Sequence, residues 1–236
     1  MRWLVALSCL AAGCASVLGI DEDYTAKPSS GTGGEAGSGG VGAGGGTGGT
    51  TGGGGTGGST GGGGSGGGAV TLTLAASDDS MVRDDNPSYN GGNNDIMTVR
   101  PAAPLRRAFV RFDLSSVPAG ATVSQAILSL CATSGANGRE HAVHAITESW
   151  TENVLTWSNQ PAVAATPSST RPAPTEPGCE QWDLTADVRA WVDSGSDHGW
   201  RLSDTAENQG SGAVRWATKE NATEADRPSL EVTYVP

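Results

Sequence analysis

The segment from Asp84 to Asp95 concentrates oxygen ligands: Asp84, Asp85, Asn86, Asn90 and Asp95, with Asn93 and Asn94 among them. Carboxylate and amide oxygens are the hard donors that calcium prefers, so this stretch is one candidate cation site, and calcium the one candidate cofactor. It is not an EF-hand. Counting Asp84 as position one puts Tyr89 where that loop needs Gly, and Asp95 rather than Glu at position twelve. Asn, Asp and Gly also gather in turns for backbone reasons, so a solvated turn is the competing reading. A second candidate pairs aromatic faces with planar polar groups: Trp200 beside Arg201, and Trp216 beside Arg215. Rings that stack on sugar C–H faces, with polar side chains fixing orientation, would make a carbohydrate-facing strip. Trp150, Trp157 and Trp191, set among apolar neighbours, read instead as core.

Catalytic patterns are weak by comparison. His141 and His144 differ by three, which on a strand sends them to opposite faces and prevents joint chelation. No H-E-x-x-H, paired C-x-x-C or P-loop occurs. Glu148, Glu152, Asp183, Asp187 and Glu220 could serve a glycosidase or lyase, but the sequence places no pair at a working separation. No catalytic residue is assigned, and an enzyme is not expected.

Charge narrows the partners. The chain carries a net charge of −11, and from Ala69 onward 12 Lys and Arg face 21 Asp and Glu, so that region alone carries −9. Lys27 and Lys219 are the only lysines. A binder of nucleic acid needs a basic patch to displace counterions, so nucleic acid is excluded as a partner.

The N-terminus reads Met1-Arg2 and then a run of about ten mostly apolar residues, too short to span a bilayer as a helix. It is an export signal. Leu10-Ala11-Ala12-Gly13-Cys14 resembles the bacterial lipobox, which implies a signal over residues 1–13 and a lipid on Cys14; the alternative is an ordinary signal ending near Ala15. The expected location is therefore a bacterial cell surface or outer membrane, held by the N-terminal lipid alone, or otherwise the exterior as a secreted protein. With Cys9 removed and Cys14 lipidated, Cys131 and Cys179 remain as an even pair, expected as a disulfide, with two buried thiols as the alternative. After an anchor-proximal segment, 14–30, comes a tract, 31–68, in which 25 of 38 residues are Gly. Such a segment buries too little to fold and behaves as a disordered linker, with a root-mean-square span of roughly 35 Å.

Residues 69–236 hold the foldable material. Apolar residues alternate in Val70 to Leu74, Ala108 to Leu114, Ala126 to Leu130, Val143 to Ala145, Val214 to Trp216 and Leu230 to Tyr234. Turn residues separate these strands, and many short strands so spaced indicate a β-sandwich. One stretch has helical spacing: Leu184, Val188, Trp191 and Val192, with Thr185 as expected cap and Gly195 beyond the end. Five prolines between Pro161 and Pro177 mark a long surface loop.

Taken in order, several segments resemble one family. They are Asn86-Pro87-Ser88-Tyr89-Asn90-Gly91; Arg107 through Phe112-Asp113-Leu114-Ser115 to Pro118; Ser149-Trp150-Thr151-Glu152; Thr156-Trp157-Ser158-Asn159-Gln160-Pro161; Trp182-Asp183-Leu184-Thr185 to Val192; Gly199-Trp200-Arg201-Leu202; and Arg227-Pro228-Ser229-Leu230 to Tyr234. Together they resemble the DNRLRE domain of exported bacterial proteins, which is similar to carbohydrate-binding module family 96. The resemblance implies an all-β, jelly-roll-like sandwich with one short helix and a non-catalytic role in binding a polysaccharide or cell-surface glycan. A structural or adhesive surface protein is the alternative, and a glycan-cleaving hydrolase or lyase a third. The Gly91-Gly92-Asn93-Asn94 stretch and the proline-rich insertion depart from the compact pattern.

Overall fold

A computed structural model describes residues 67–236. The export signal, Cys14, the anchor-proximal segment and nearly all of the glycine tract lie outside the described residues. The elements are β1 (Val70–Arg83), β2 (Ile96–Val99), β3 (Arg106–Phe112), β4 (Thr122–Ser134), β5 (Glu140–Ala145), β6 (Ser169–Pro172), β7 (Gly178–Asp183), α1 (Thr185–Ser194), β8 (Trp200–Asp204), β9 (Val214–Ala217) and β10 (Ser229–Val235). All pairings are antiparallel, in the order β2-β9-β4-β10-β1-β3-β8-β5-β6, with β7 on β4. The expected all-β sandwich with a single helix is what forms.

The long strand β1 belongs to both layers. Val70–Ala75 pair with β10, and Ala76–Arg83 pair with β3, with the register broken between Ala76 and Asp78. An extra residue there, Ser77, bends the strand as β-bulges do and lets one sheet fold back over itself. Alternation then sends Leu230, Val232 and Tyr234 of β10, Leu128 and Leu130 of β4, and Val110 and Phe112 of β3 into one core. β3 is buried on its other face too, because Phe109 packs with Val82, Ile146, Trp150 and Leu155 beneath the segment that follows β5.

Helix α1 closes one end of the sandwich with Leu184 and Val188 in the core and Trp191 and Val192 half-buried beside it. Its start differs from expectation. Asp183 Oδ1 accepts both the Thr185 N–H at 3.0 Å and the Thr185 hydroxyl at 2.6 Å, while Thr185 Oγ1 accepts the Ala126 N–H at 2.9 Å. Thr185 thus ties the helix to β4, and Asp183 does the capping. Gly195, at φ 69°, ends the helix with its N–H on the Trp191 carbonyl. The proline-rich segment is not wholly loop: β6 forms within it at the end of the strand order, paired to β5 alone. Pro172 is tolerated there because an edge position need not donate a ladder hydrogen bond.

Cys131 and Cys179 face each other across β4 and β7 and form the disulfide. Closing a loop with a sequence separation of 48 stabilises the fold by about 4 kcal/mol through the entropy it removes from the unfolded chain.

One buried polar residue predicts the response to acid. His141 is tilted against Trp216, at 5.8 Å between ring centroids, beside the Arg139–Asp204 ion pair. Burial pushes it from 6.5 down to about 4, against the opposing pull of the Asp204 carboxylate. The native state therefore takes up this proton later than the unfolded chain, and the stability present above pH 6.5 is lost as pH falls from 6.5 toward 4. Urea unfolding at pH 7.5 and 4.5 should show the wild type losing more stability than His141→Gln across that interval. Equal losses would mean that His141 is not the titrating group.

Candidate functional site

Where β1 changes partners, a cleft of about 650 Å³ opens between the β3–β4 connection and the end of α1. Its aromatic wall is Trp191, with Leu114 and Val117 extending the apolar surface. Trp191 does not stand alone. Its ring lies 4.6 Å from that of Trp200, whose Nε1 donates to Asp187 Oδ2 at 2.7 Å. Asp187 and Trp191 are one helical turn apart on α1, so the helix grips Trp200 through both. Phe112 meets the other side of Trp200 edge-on at 6.3 Å.

The opposite wall is polar and rigid. Arg111 donates through Nε and Nη2 to Asp78 Oδ2, at 3.0 and 2.7 Å, and through Nη1 to the Trp150 carbonyl at 3.2 Å. Its guanidinium also lies over the Trp150 ring, 5.3 Å from the centroid. Two further carboxylates line the cleft in different environments. The Ser115 N–H and hydroxyl hold Asp113 below the usual carboxylate range. Burial pushes Asp197 up to about 6, although it accepts the Gly199 N–H at 2.9 Å. An aromatic platform facing planar hydrogen-bonding groups across a cleft of this size fits a small polar ring with one apolar face.

The residues named from sequence are distributed otherwise. Trp200 is 1% exposed and Trp216 is fully buried, so neither can face a ligand. The physical reason is strand alternation: the charged neighbours Arg201 and Arg215 occupy the outer face, which turns the two tryptophans inward. Trp216 packs edge-on against Trp182 at 5.5 Å. Arg201 lines a separate, shallower groove with His144 and Glu207, and Arg215 is exposed on β9 in the other half of the sheet. The four residues form no strip. Of the tryptophans read as core, Trp150 is buried, whereas Trp157 is half-buried under the Arg107 guanidinium and Trp191 lines the cleft.

The acidic turn is also dispersed. Asp85 is bidentate to Arg83 at 2.6 and 2.7 Å, and Asn90 Nδ2 donates to the Glu152 and Leu155 carbonyls. Asn86 is exposed, and the Asp95 carbonyl accepts from Thr218 N–H and Asn221 Nδ2. Asp84, Asp85 and Asp95 do not converge as a group among the described residues. The stretch is a hydrogen-bonded turn in which the Asp85 carboxylate is taken by Arg83 and the Asn90 amide by backbone carbonyls. Asp78, Arg111 and Asp197 escaped the sequence reading, since they come from three separate segments. The pointer available was Gly195 after a helix bearing Trp191.

The sequence profile of carbohydrate-binding module family 96 matches residues 70–234, from the first residue of β1 to Tyr234 in β10. The chain belongs to this family. No curated protein matches it. In this family 96 module the tilted tryptophan pair divides labour by position: Trp200 supports, and Trp191 lines the open cleft. Because Trp200 and Trp216 are core residues, Trp200→Ala and Trp216→Ala are each expected to cost about 3 to 5 kcal/mol of folding stability. Chemical unfolding measures this directly, and a loss below about 1 kcal/mol would contradict their placement.

Proposed function

We propose that this family 96 module is a non-catalytic polysaccharide binder, that the cleft walled by Trp191 is its sugar site, and that the chain is exported and displayed from a membrane by lipid on Cys14 and the glycine tract. The observation that carries the binding reading is Trp191, backed by the immobile Trp200 and facing Arg111, Asp113 and Asp197. A pyranose laid on the ring would present its axial C–H groups to the indole and its hydroxyls to the carboxylates. These groups are already fixed by protein contacts, so little ordering entropy opposes binding. Display is supported by the lipobox-like Leu10 to Cys14 and by the glycine-rich composition of residues 31–68, which favours an extended, solvated tether.

Affinity electrophoresis of the full chain through gels containing neutral or acidic polysaccharides tests the site. At least one polymer should retard the wild type, and Trp191→Ala should weaken that retardation at least tenfold while circular dichroism shows the fold intact. Unchanged mobility across the panel would sink the glycan reading and favour an adhesive or structural role, and new reducing or unsaturated ends would replace binding with cleavage. For display, Cys14→Ala should move the chain from the membrane to the soluble fraction. A protein equally membrane-bound without Cys14 would exclude the lipid anchor.

A further inference from the structure

Three carboxylates from distant parts of the sequence meet on the far side of β1 from the cleft. Asp79 comes from β1, Glu152 from the segment after β5, and Glu220 from the β9–β10 connection. An oxygen of each lies within 4.8 Å of the other two. Asp79 is fully buried, and its Oδ1 has no hydrogen-bond partner among the described residues. Glu220 Oε2 is likewise shut from solvent without a partner. Other oxygens of the cluster are engaged: Asp79 Oδ2 accepts the Lys219 N–H at 2.6 Å, and Glu152 Oε1 accepts the Asp79 N–H at 3.0 Å. Lys219 Nζ contacts Glu152 at 2.9 Å and also Glu220.

The charges do not balance. Burial pushes Asp79 up to about 8, so without an ion it keeps its proton at neutral pH; ionised together, the three carboxylates against one ammonium would leave two negative charges in a poorly solvated place, where an uncompensated carboxylate is strongly disfavoured. One divalent cation cancels them. The local backbone is built around the acids as well. A Cβ on Gly92 would come 2.7 Å from Glu152 Cγ, so only glycine leaves Glu152 in place, and Asn90 fixes the Glu152 carbonyl at 2.6 Å.

We propose that Asp79, Glu152 and Glu220 bind a divalent cation, calcium in preference to magnesium, that pins the segment after β5 and the β9–β10 connection to β1. Donors drawn from three segments and partly engaged by Lys219 suit an ion that accepts an irregular shell at about 2.4 Å, whereas magnesium needs about 2.1 Å and a strict octahedron. Asp79 Oδ1 and Glu220 Oε2 are the free donors, Glu152 is shared with Lys219, and water completes the shell. The role is structural: the ion joins three segments otherwise linked here by the Lys219 contacts and the Asp79 N–H bond to Glu152.

The full chain, stripped with chelator, is titrated with calcium chloride and with magnesium chloride by calorimetry and followed by thermal unfolding. Saturable uptake of one calcium per chain is expected, with Tm raised by about 5 °C or more at a hundredfold excess over Kd and a weaker response to magnesium. Glu220→Gln should weaken calcium at least tenfold. Asp84→Asn, in the turn after β1, should not, and Lys219→Met should bind calcium at least as tightly because the competing ammonium is gone. Asp79→Asn offers a second test, but the wild-type titration decides even where that variant fails to fold. No calcium uptake at millimolar concentration, uptake undiminished by Glu220→Gln, or uptake abolished by Lys219→Met would each overturn the site.

Discussion

The change of partner along β1 at Ser77 is the constraint on which both layers of the sandwich and both candidate sites depend. One strand must leave β10 and join β3, and the register break between Ala76 and Asp78 is where it does so. An unbroken ladder would extend one flat sheet and leave its apolar face open; the bend brings the two halves together over a shared core. The same bend aims two carboxylates. Asp78 and Asp79 are consecutive, so their side chains leave β1 in opposite directions. Asp78 takes the Arg111 guanidinium at the cleft, and Asp79 goes to the acidic cluster with Glu152 and Glu220. A single residue deleted at Ser77 would exchange these directions, as well as the facing of every side chain after it.

Much of the fold was legible in the sequence because one face of most strands is buried. Leu230, Val232 and Tyr234 read as a strand from their period, and the helix followed from Leu184, Val188 and Trp191. The reading lost accuracy where burial is not one-sided. β3 is covered on both faces, and its second cover is a long segment after β5 with little regular structure, whose Trp150 and Leu155 have no period to betray them. The tryptophan assignment failed for a related reason. Arg201 and Arg215 suggested polar surroundings for Trp200 and Trp216, but on a strand an adjacent charged residue argues for the opposite face. The acidic residues show a further limit: Asp84, Asp85 and Asp95 are near in sequence, while the carboxylates that meet in space lie more than sixty residues apart along the chain. Sequence proximity found a turn, and only the topology could find the cluster.

Composition also acquires a physical account. The domain has one lysine, Lys219, and eleven arginines. Several of those arginines act as forks on single carboxylates: Arg107 on Glu207 at 2.6 and 2.7 Å, Arg83 on Asp85, and Arg139 on the buried Asp204. Two parallel donors hold a carboxylate in one orientation, which a lysine's single mobile ammonium cannot do. Arg107 and Arg111 add stacking on Trp157 and Trp150, which fastens the loop segment onto the outer face of β3. An acidic domain thus uses its few cations for geometry more than for net charge. Lys219 is the exception, a point charge among three acids.

The cleft owes its shape to the short connection between α1 and β8, whose two ends are held by the tilted, contacting pair Trp191 and Trp200. Gly195 turns the chain out of the helix in the left-handed region. Asp197 then accepts the Gly199 N–H, and Gly199 passes so close to β3 that a Cβ would lie 2.3 Å from the Val110 carbonyl. At φ 76° and with that approach, no other residue fits at 199. The Asp197 carboxyl is therefore positioned by backbone geometry rather than by a salt bridge. Its partial burial follows from that placement, and so does its raised affinity for a proton. A loop that could relax would let Asp197 swing into water and restore an ordinary carboxylate. The shift toward about 6 follows from that burial, which disfavours the charged carboxylate more than the Gly199 N–H favours it.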